Sequence, residues 1–300
     1  MRHGSGGLRP RLLRGSLLSG PDVLLDDRGL PARSGLSGAL ARGAARLVRS
    51  QFSDGIPLPS KVFLSLSSTA RARTIQLHME ELGEAERALV ANYWWQRAQG
   101  ELTSWHGFQH VLADLHVEQA ASAVIELAER AVQDEYQHAE WCRDWAVRFG
   151  HPGGELVPRG QRPIAFRGAT EAQNRLLRIG LCCMNETVGC VVLRHVRPVL
   201  VLPELRELNR QHMADELQHS RVGWAHLATL SAEQRAFLRP WVSVLLRLVR
   251  QSWCEGSEGE HEALVPYGYF SLRLLRAAHD EAVESLIVPG FSHLGLGKAA

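Results

Sequence analysis

The chain has 300 residues, 45% of them apolar, and a formal net charge of +2, enough to bury a sizeable core as one large domain or two modest ones. The charge is uneven: residues 1–50 carry nine Arg and three Asp, leaving 25 basic and 29 acidic residues after them, so the folded part is mildly acidic and gives no sign of a nucleic-acid surface. Arg194, Arg197, Arg247 and Arg250 interrupt the longest apolar runs, which argues against a membrane span of about 18 residues, and five Cys without a CxxC spacing read as reduced residues of a cytoplasmic protein.

Residues 1–65 are rich in Gly, Ser, Pro and Arg and read as a flexible basic N-terminal extension. Their Arg-rich, acid-poor composition is that of an organelle transit peptide, but a disordered extension is the simpler reading. Residues 66–300 are expected to form one all-α unit, because Ala, Leu, Glu, Arg and Gln dominate and alternating strand patterns are lacking.

The first predicted helix runs from the eighties past Phe108, with Ala98, Glu101, Trp105, Phe108 and Leu112 at helical spacing and Gly100 weakening it locally. The second carries Val124, Ala128, Ala131, Glu135, His138, Cys142, Trp145 and Phe149 on one face and stops at Gly150, Pro152 and Gly153. Residues 151–169 then form a crossover rich in Gly and Pro. A third helix starts near Thr170 and runs through Cys182, Cys183, Glu186, Cys190 and Leu193 to a turn bracketed by Pro198 and Pro203. The fourth places Leu205, Leu208, His212, Glu216, His219, Gly223 and His226 along one stripe. Two further helices are expected, over 231–253 with a kink at Pro240 and over 266–287, ahead of a tail from Pro289.

One string occurs twice: Asp134-Glu135-Tyr136-Gln137-His138 and Asp215-Glu216-Leu217-Gln218-His219. On a helix, Glu and His three apart project from one side, so a carboxylate and an imidazole reach a single cation. A third Glu-x-x-His, Glu258 to His261, lies in a Gly-rich run and reads as chance. Bundles that hold two metal ions take a Glu-x-x-His from each of two helices and one further Glu from each of the others. Glu186 supplies the first of these: it sits in a nearly apolar helix, where a bare carboxylate is costly unless it is protonated, paired or bound to a cation.

Spacing from the turns gives a second criterion, since residues at one depth of a hairpin are equidistant from its turn. Glu186 and Glu216 have their midpoint at 201, between the two prolines. Glu135 asks for a partner near 101 if the turn lies near 118, and Glu101 is the only acid between 87 and 113. Glu118 is the poorer substitute, because it falls at the turn itself. His212 shares the face of Glu216 and His219, while His226, one turn beyond, reads as an outer or core residue. Asp134 and Asp215, rotated off the ligand face, are placed to accept from the metal-bound His of the neighbouring helix.

With these residues assembled, the chain resembles the ferritin-like di-iron carboxylate superfamily, and within it the p-aminobenzoate N-oxygenase family of aryl-amine oxygenases. The order Glu101, Glu135-x-x-His138, Glu186, His212-x-x-x-Glu216-x-x-His219 is similar to that family's seven ligands, the third histidine being the distinguishing element. The resemblance implies a ferritin-like four-helix bundle with extra C-terminal helices. It implies two iron ions, Fe/Fe or Mn/Fe, held by those four Glu and three His, with no catalytic residue beyond the ligands. It also implies O2, a small aromatic or apolar substrate, an external electron donor and a homodimer. Carboxylates with imidazoles suit Fe or Mn more than a thiolate-seeking metal. Trp94, Trp95, Trp105, Phe108 and Tyr136 are candidates for an apolar pocket. Three readings compete with N-oxygenation: another di-metal oxidoreductase such as a hydroxylase, desaturase or oxidase; a non-catalytic iron-binding bundle; and a metal-free helical protein.

Overall fold

The computed structural model describes residues 81–158, 162–255 and 261–297. The extension expected over 1–65 lies outside them, as do residues 66–80 and Glu258. Helix α1 spans Glu84–Val117 and opens with the Gly83 N–H donating to the Glu86 carboxylate at 3.0 Å. Gly100 does not interrupt it. The chain then reverses in four residues without Gly or Pro, through Gln119 at φ 52° and an Ala120 N–H donated to the Leu115 carbonyl. Helix α2, Ser122–Arg148, buries the expected stripe of Val124, Ala128, Ala131, Glu135, His138, Cys142 and Trp145, and it gives way to a turn at Gly150.

The crossover is held from both sides. Phe166 is buried with its N–H on the Asn174 side chain, and Arg178 reaches both Asp114 oxygens and the Ile164 carbonyl. Helix α3, Glu171–Val196, starts on the Thr170 hydroxyl, which accepts from Gln173 N–H. One expectation fails here: the segment Glu171–Val199 is by length and composition apolar enough to cross a membrane, because few charges besides Glu186 fall in its central stretch. In the structure 89% of that apolar window is covered by the rest of the chain. A 3₁₀ turn over Arg197–Val199 leads to α4, Pro203–Thr229, with Pro203 in its first turn, where a missing N–H is harmless.

The hairpins α1/α2 and α3/α4 close into a four-helix bundle, α1 against α3 and α2 against α4. The second hairpin is tight. A Cβ on Gly223 would sit 2.3 Å from Cys183 Cβ, so α3 and α4 touch almost backbone to backbone. The five cysteines are unpaired, and all but Cys182 are buried.

The C-terminal layer follows: α5 (Ala232–Leu238), a 3₁₀ turn at Pro240, α6 (Val242–Cys254), a second 3₁₀ turn (Glu262–Tyr267), α7 (Leu272–Ala282), a π turn (Val283–Ile287) and α8 (Val288–His293). The kink at Pro240 is where it was expected. The helix expected over 266–287 starts later, at Leu272 under a Ser271 cap, because residues 262–267 wind as a 3₁₀ turn ended by Gly268 at φ 85°. No tail begins at Pro289 either. The Val288 N–H reaches back five residues to Val283, and that widened turn makes room for the proline ring while the helix continues. Helices α6 and α7 lie on α3, and the Trp94 indole ties the layer to α1 by donating to the Tyr267 carbonyl at 2.9 Å.

Candidate metal centre

The stripes of α2 and α4 meet in the bundle interior, and with them come the two repeated motifs. Two sets of side chains converge so that one ligand atom from each lies within 4.8 Å of the others: Glu101, His138, His212 and Glu216, and Glu135, His138, Glu216 and His219. These buried Glu and His groups can hold a metal ion. Glu216 and His138 belong to both sets, so the two positions are adjacent.

Both histidines of the repeated motif point the same way. His219 Nδ1 stands 3.0 Å from Glu216 Oε2 and 3.0 Å from Glu135 Oε1. His138 Nδ1 stands 3.8 Å from Glu135 and 3.7 Å from Glu216. Each Nε2 faces the aspartate of the other motif: His138 to Asp215 at 3.3 Å, His219 to Asp134 at 3.4 Å. The aspartates therefore exchange across the α2–α4 interface.

His212 extends the cluster. Its Nε2 lies 2.8 Å from Glu216 Oε1 and 3.8 Å from Glu101 Oε1, and its ring packs against that of His138 at 3.9 Å, tilted by 39°. Of the seven residues expected as ligands, six fall in the two sets. Glu186 is the exception: it stands beside them in hydrogen-bonding contact with Glu216 and faces a cavity. Glu118 is occupied elsewhere, by Arg175 at 2.7 Å. His226 is buried away from both sets, with neither ring nitrogen hydrogen-bonded.

Electrostatics show what the donor set lacks. Burial and the Glu135 carboxylate push Glu101 up to about 7, and burial with the carboxylates of Glu216 and Glu135 holds Glu186 well above the usual range. Burial works against a charged His138, yet Asp215 and Glu135 carry it up to about 10. Burial and the neighbouring His138 push His212 down to about 4. Both oxygens of Glu135 and Nδ1 of His138 lack a hydrogen-bond partner; the 3.0 Å approach of His219 Nδ1 to Glu135 has ion-pair distance without hydrogen-bond direction. A buried carboxylate without donors costs several kcal/mol. A cation between these atoms satisfies all three, so the residues present fit a metal site of oxygen and nitrogen donors.

Arg97 was not foreseen. It lies one turn before Glu101 at 3.7 Å, clamped between the Trp94 and Phe270 rings at 4.4 Å from each. Its signal, an Arg and a Glu four apart, is also that of an ordinary surface pair. Beside it a cavity of about 180 Å³ opens from Glu101, Glu186 and Glu216 toward Trp253 and Phe270. The aromatic residues on its wall are Tyr93, Trp253 and Phe270. Trp94, Trp95, Trp105, Phe108 and Tyr136, the candidates from sequence, do not line it, because two of its walls come from the C-terminal layer, which helical spacing in the bundle cannot reveal. Compared with known proteins, the chain matches no family model, no curated protein and no solved structure.

Proposed function

We propose that the chain is a dinuclear non-haem iron oxygenase of the ferritin-like carboxylate type that adds oxygen to the nitrogen of an aromatic amine. The observation that carries the reading is the pair of Glu-x-x-His motifs on α2 and α4, each with Nδ1 turned inward and Nε2 on the opposite motif's aspartate. Two iron ions bound there would supply the activation of O2. Glu101, His138 and His212 would hold one ion, and His219 with Glu186 the other. Glu216, which like His138 belongs to both sets, would serve either ion, and Glu135 would add its carboxylate to the second. Fe/Fe is the assignment, with Mn/Fe open to the same donors.

The residues of this chain have three tasks. Asp134 and Asp215 fix the tautomer and direction of the two inward histidines. Helix α3 and the C-terminal layer keep water from the interior. The cavity at Glu101 and Glu186 holds the amine; an apolar cavity of about 150 Å³ admits benzene, so its size of about 180 Å³ suits a single ring. One oxygen atom enters the amine's N–H bond to give a hydroxylamine. The other leaves as water with two electrons and two protons, which a separate donor provides. The cavity favours a catalyst over a storage bundle, since iron storage has no use for a ring-sized space at the cluster.

The test is the metal content of protein purified from iron-supplemented cells. About two Fe per chain is expected in the wild type, lost in Glu186→Ala and reduced in His212→Ala. A wild type without stoichiometric metal removes the oxygenase reading.

A further inference from the structure

The cluster is approached from two sides. The larger cavity ends on Glu186 from the C-terminal layer, and a second cavity of about 50 Å³ ends on the same residue from the crossover. Ser104, Asn185 and Glu186 line both, so they form the partition between them. The second begins at the surface beside exposed Pro163 and runs past Gly107, Val111, Ile164 and Leu181. Its charged and amide side chains other than Glu186 are engaged: Arg178 holds Asp114 and Glu171, and Asn185 sits between the Leu181 carbonyl and the Trp253 indole. Apart from Ser104 and His110, what it offers a guest is an apolar wall.

We propose that this narrow passage is the dioxygen route, a site for an apolar diatomic gas separate from the cavity that takes the organic substrate. The inference rests on the oxygenase reading above and adds the division of access. Volume decides which guest goes where. A water-sized sphere needs about 10–15 Å³ and an aromatic ring about 150 Å³, so 50 Å³ takes one or two diatomic molecules and excludes a ring. Order of binding gives the route its use. An amine seated in the larger cavity closes that side of Glu186, and O2 must then arrive from the other. Helix α3 provides the partition because Asn185 and Glu186 are consecutive on it, and Ser104 of α1 faces them.

Xenon tests the site without any metal, since it enters apolar cavities and is seen directly. Crystals of the full chain under xenon pressure should show it between Gly107, Val111 and Leu181, and crystals of Gly107→Leu should not. Gly107 is a half-buried helical position, so leucine there favours the helix while filling the passage. In iron-loaded protein, Gly107→Leu should slow the reaction of the ferrous centre with O2 at least tenfold and leave the KM for the amine unchanged. Xenon absent from the passage in wild type overturns the gas site. Oxidation of Gly107→Leu at the wild-type rate overturns the route even where xenon binds. Iron-loaded wild type that takes up no O2 overturns the oxygenase reading and the route with it, a failure recognised by the unmodified chain itself.

Discussion

His138 offers Nδ1 to the cluster and Nε2 to Asp215, so the aspartate sets both the ring's direction and the nitrogen that carries its proton. Asp134 does the same for His219. Because each aspartate belongs to the other motif, neither helix completes its own ligand. Asp215→Asn should therefore weaken metal binding at the His138 position by about 10- to 100-fold while helical content stays unchanged. Titration of metal-free protein with ferrous iron under argon, alongside circular dichroism, reads both quantities; equal affinity for variant and wild type would show that the aspartate is only a solvated side chain. This exchange was legible because the string Asp-Glu-x-Gln-His repeats, which chance motifs do not. Arg97 was not legible. Its burial depends on Phe270 in the C-terminal layer, a contact that helical spacing along α1 does not encode.

Elements were legible where periodicity or proline speaks for itself. Thr170, Pro203 and Pro240 mark boundaries seen in the structure, and Pro289 misled only because a π turn ahead of it relieves the ring clash. The α1–α2 reversal was harder, since Gln119 takes a left-handed conformation that sequence reserves for Gly or Asn. Glu101, level with Glu135 when counted from that turn, nevertheless joins the cluster. The tightness of α3 against α4 is written in Gly223, but only contact with Cys183 reveals it. A methyl group there has no room, and the obstacle includes Cys183 Cα and the Ile179 carbonyl, which do not swing aside. Gly223→Ala should push the helices apart and cost about 1–3 kcal/mol, read as a lower denaturant midpoint at constant slope. Since Gly223 lies one turn past His219, the same variant should lose metal as well. Unchanged stability would mean that the hairpin is looser than its backbone contact implies.

At the scale of the whole molecule, the bundle carries a centre that opposes its own stability when no cation is bound. Glu101, Glu135, Glu186 and Glu216 are gathered in a space closed by α3 and the C-terminal layer. The two raised carboxyls set the direction of the pH dependence, against a smaller opposing contribution from His212, which gains stability as pH rises from about 4 to 6.5. A carboxyl whose pKa is higher folded than unfolded binds more protons in the folded state, so stability falls as pH rises between the two values. For Glu101 that window runs from 4.5 to about 7, and Glu186 acts in the same direction beyond it. Metal-free protein should thus melt at a lower temperature at pH 7.5 than at pH 5. Divalent metal binds the deprotonated ligands and should reverse the loss. At a hundred times its Kd it contributes about 2.7 kcal/mol, or roughly 5–10 °C in Tm for a chain of this size. Glu186→Gln separates the two effects. Replacing a carboxyl that burial and its neighbours force to hold a proton by a neutral amide should raise the metal-free Tm at pH 7.5 and shrink the gain on adding metal, the pattern expected of a residue retained for function at the expense of stability. A metal-free Tm that does not move with pH, or a Glu186→Gln variant that gains as much from metal as wild type, would show that these carboxylates are ordinary members of the core.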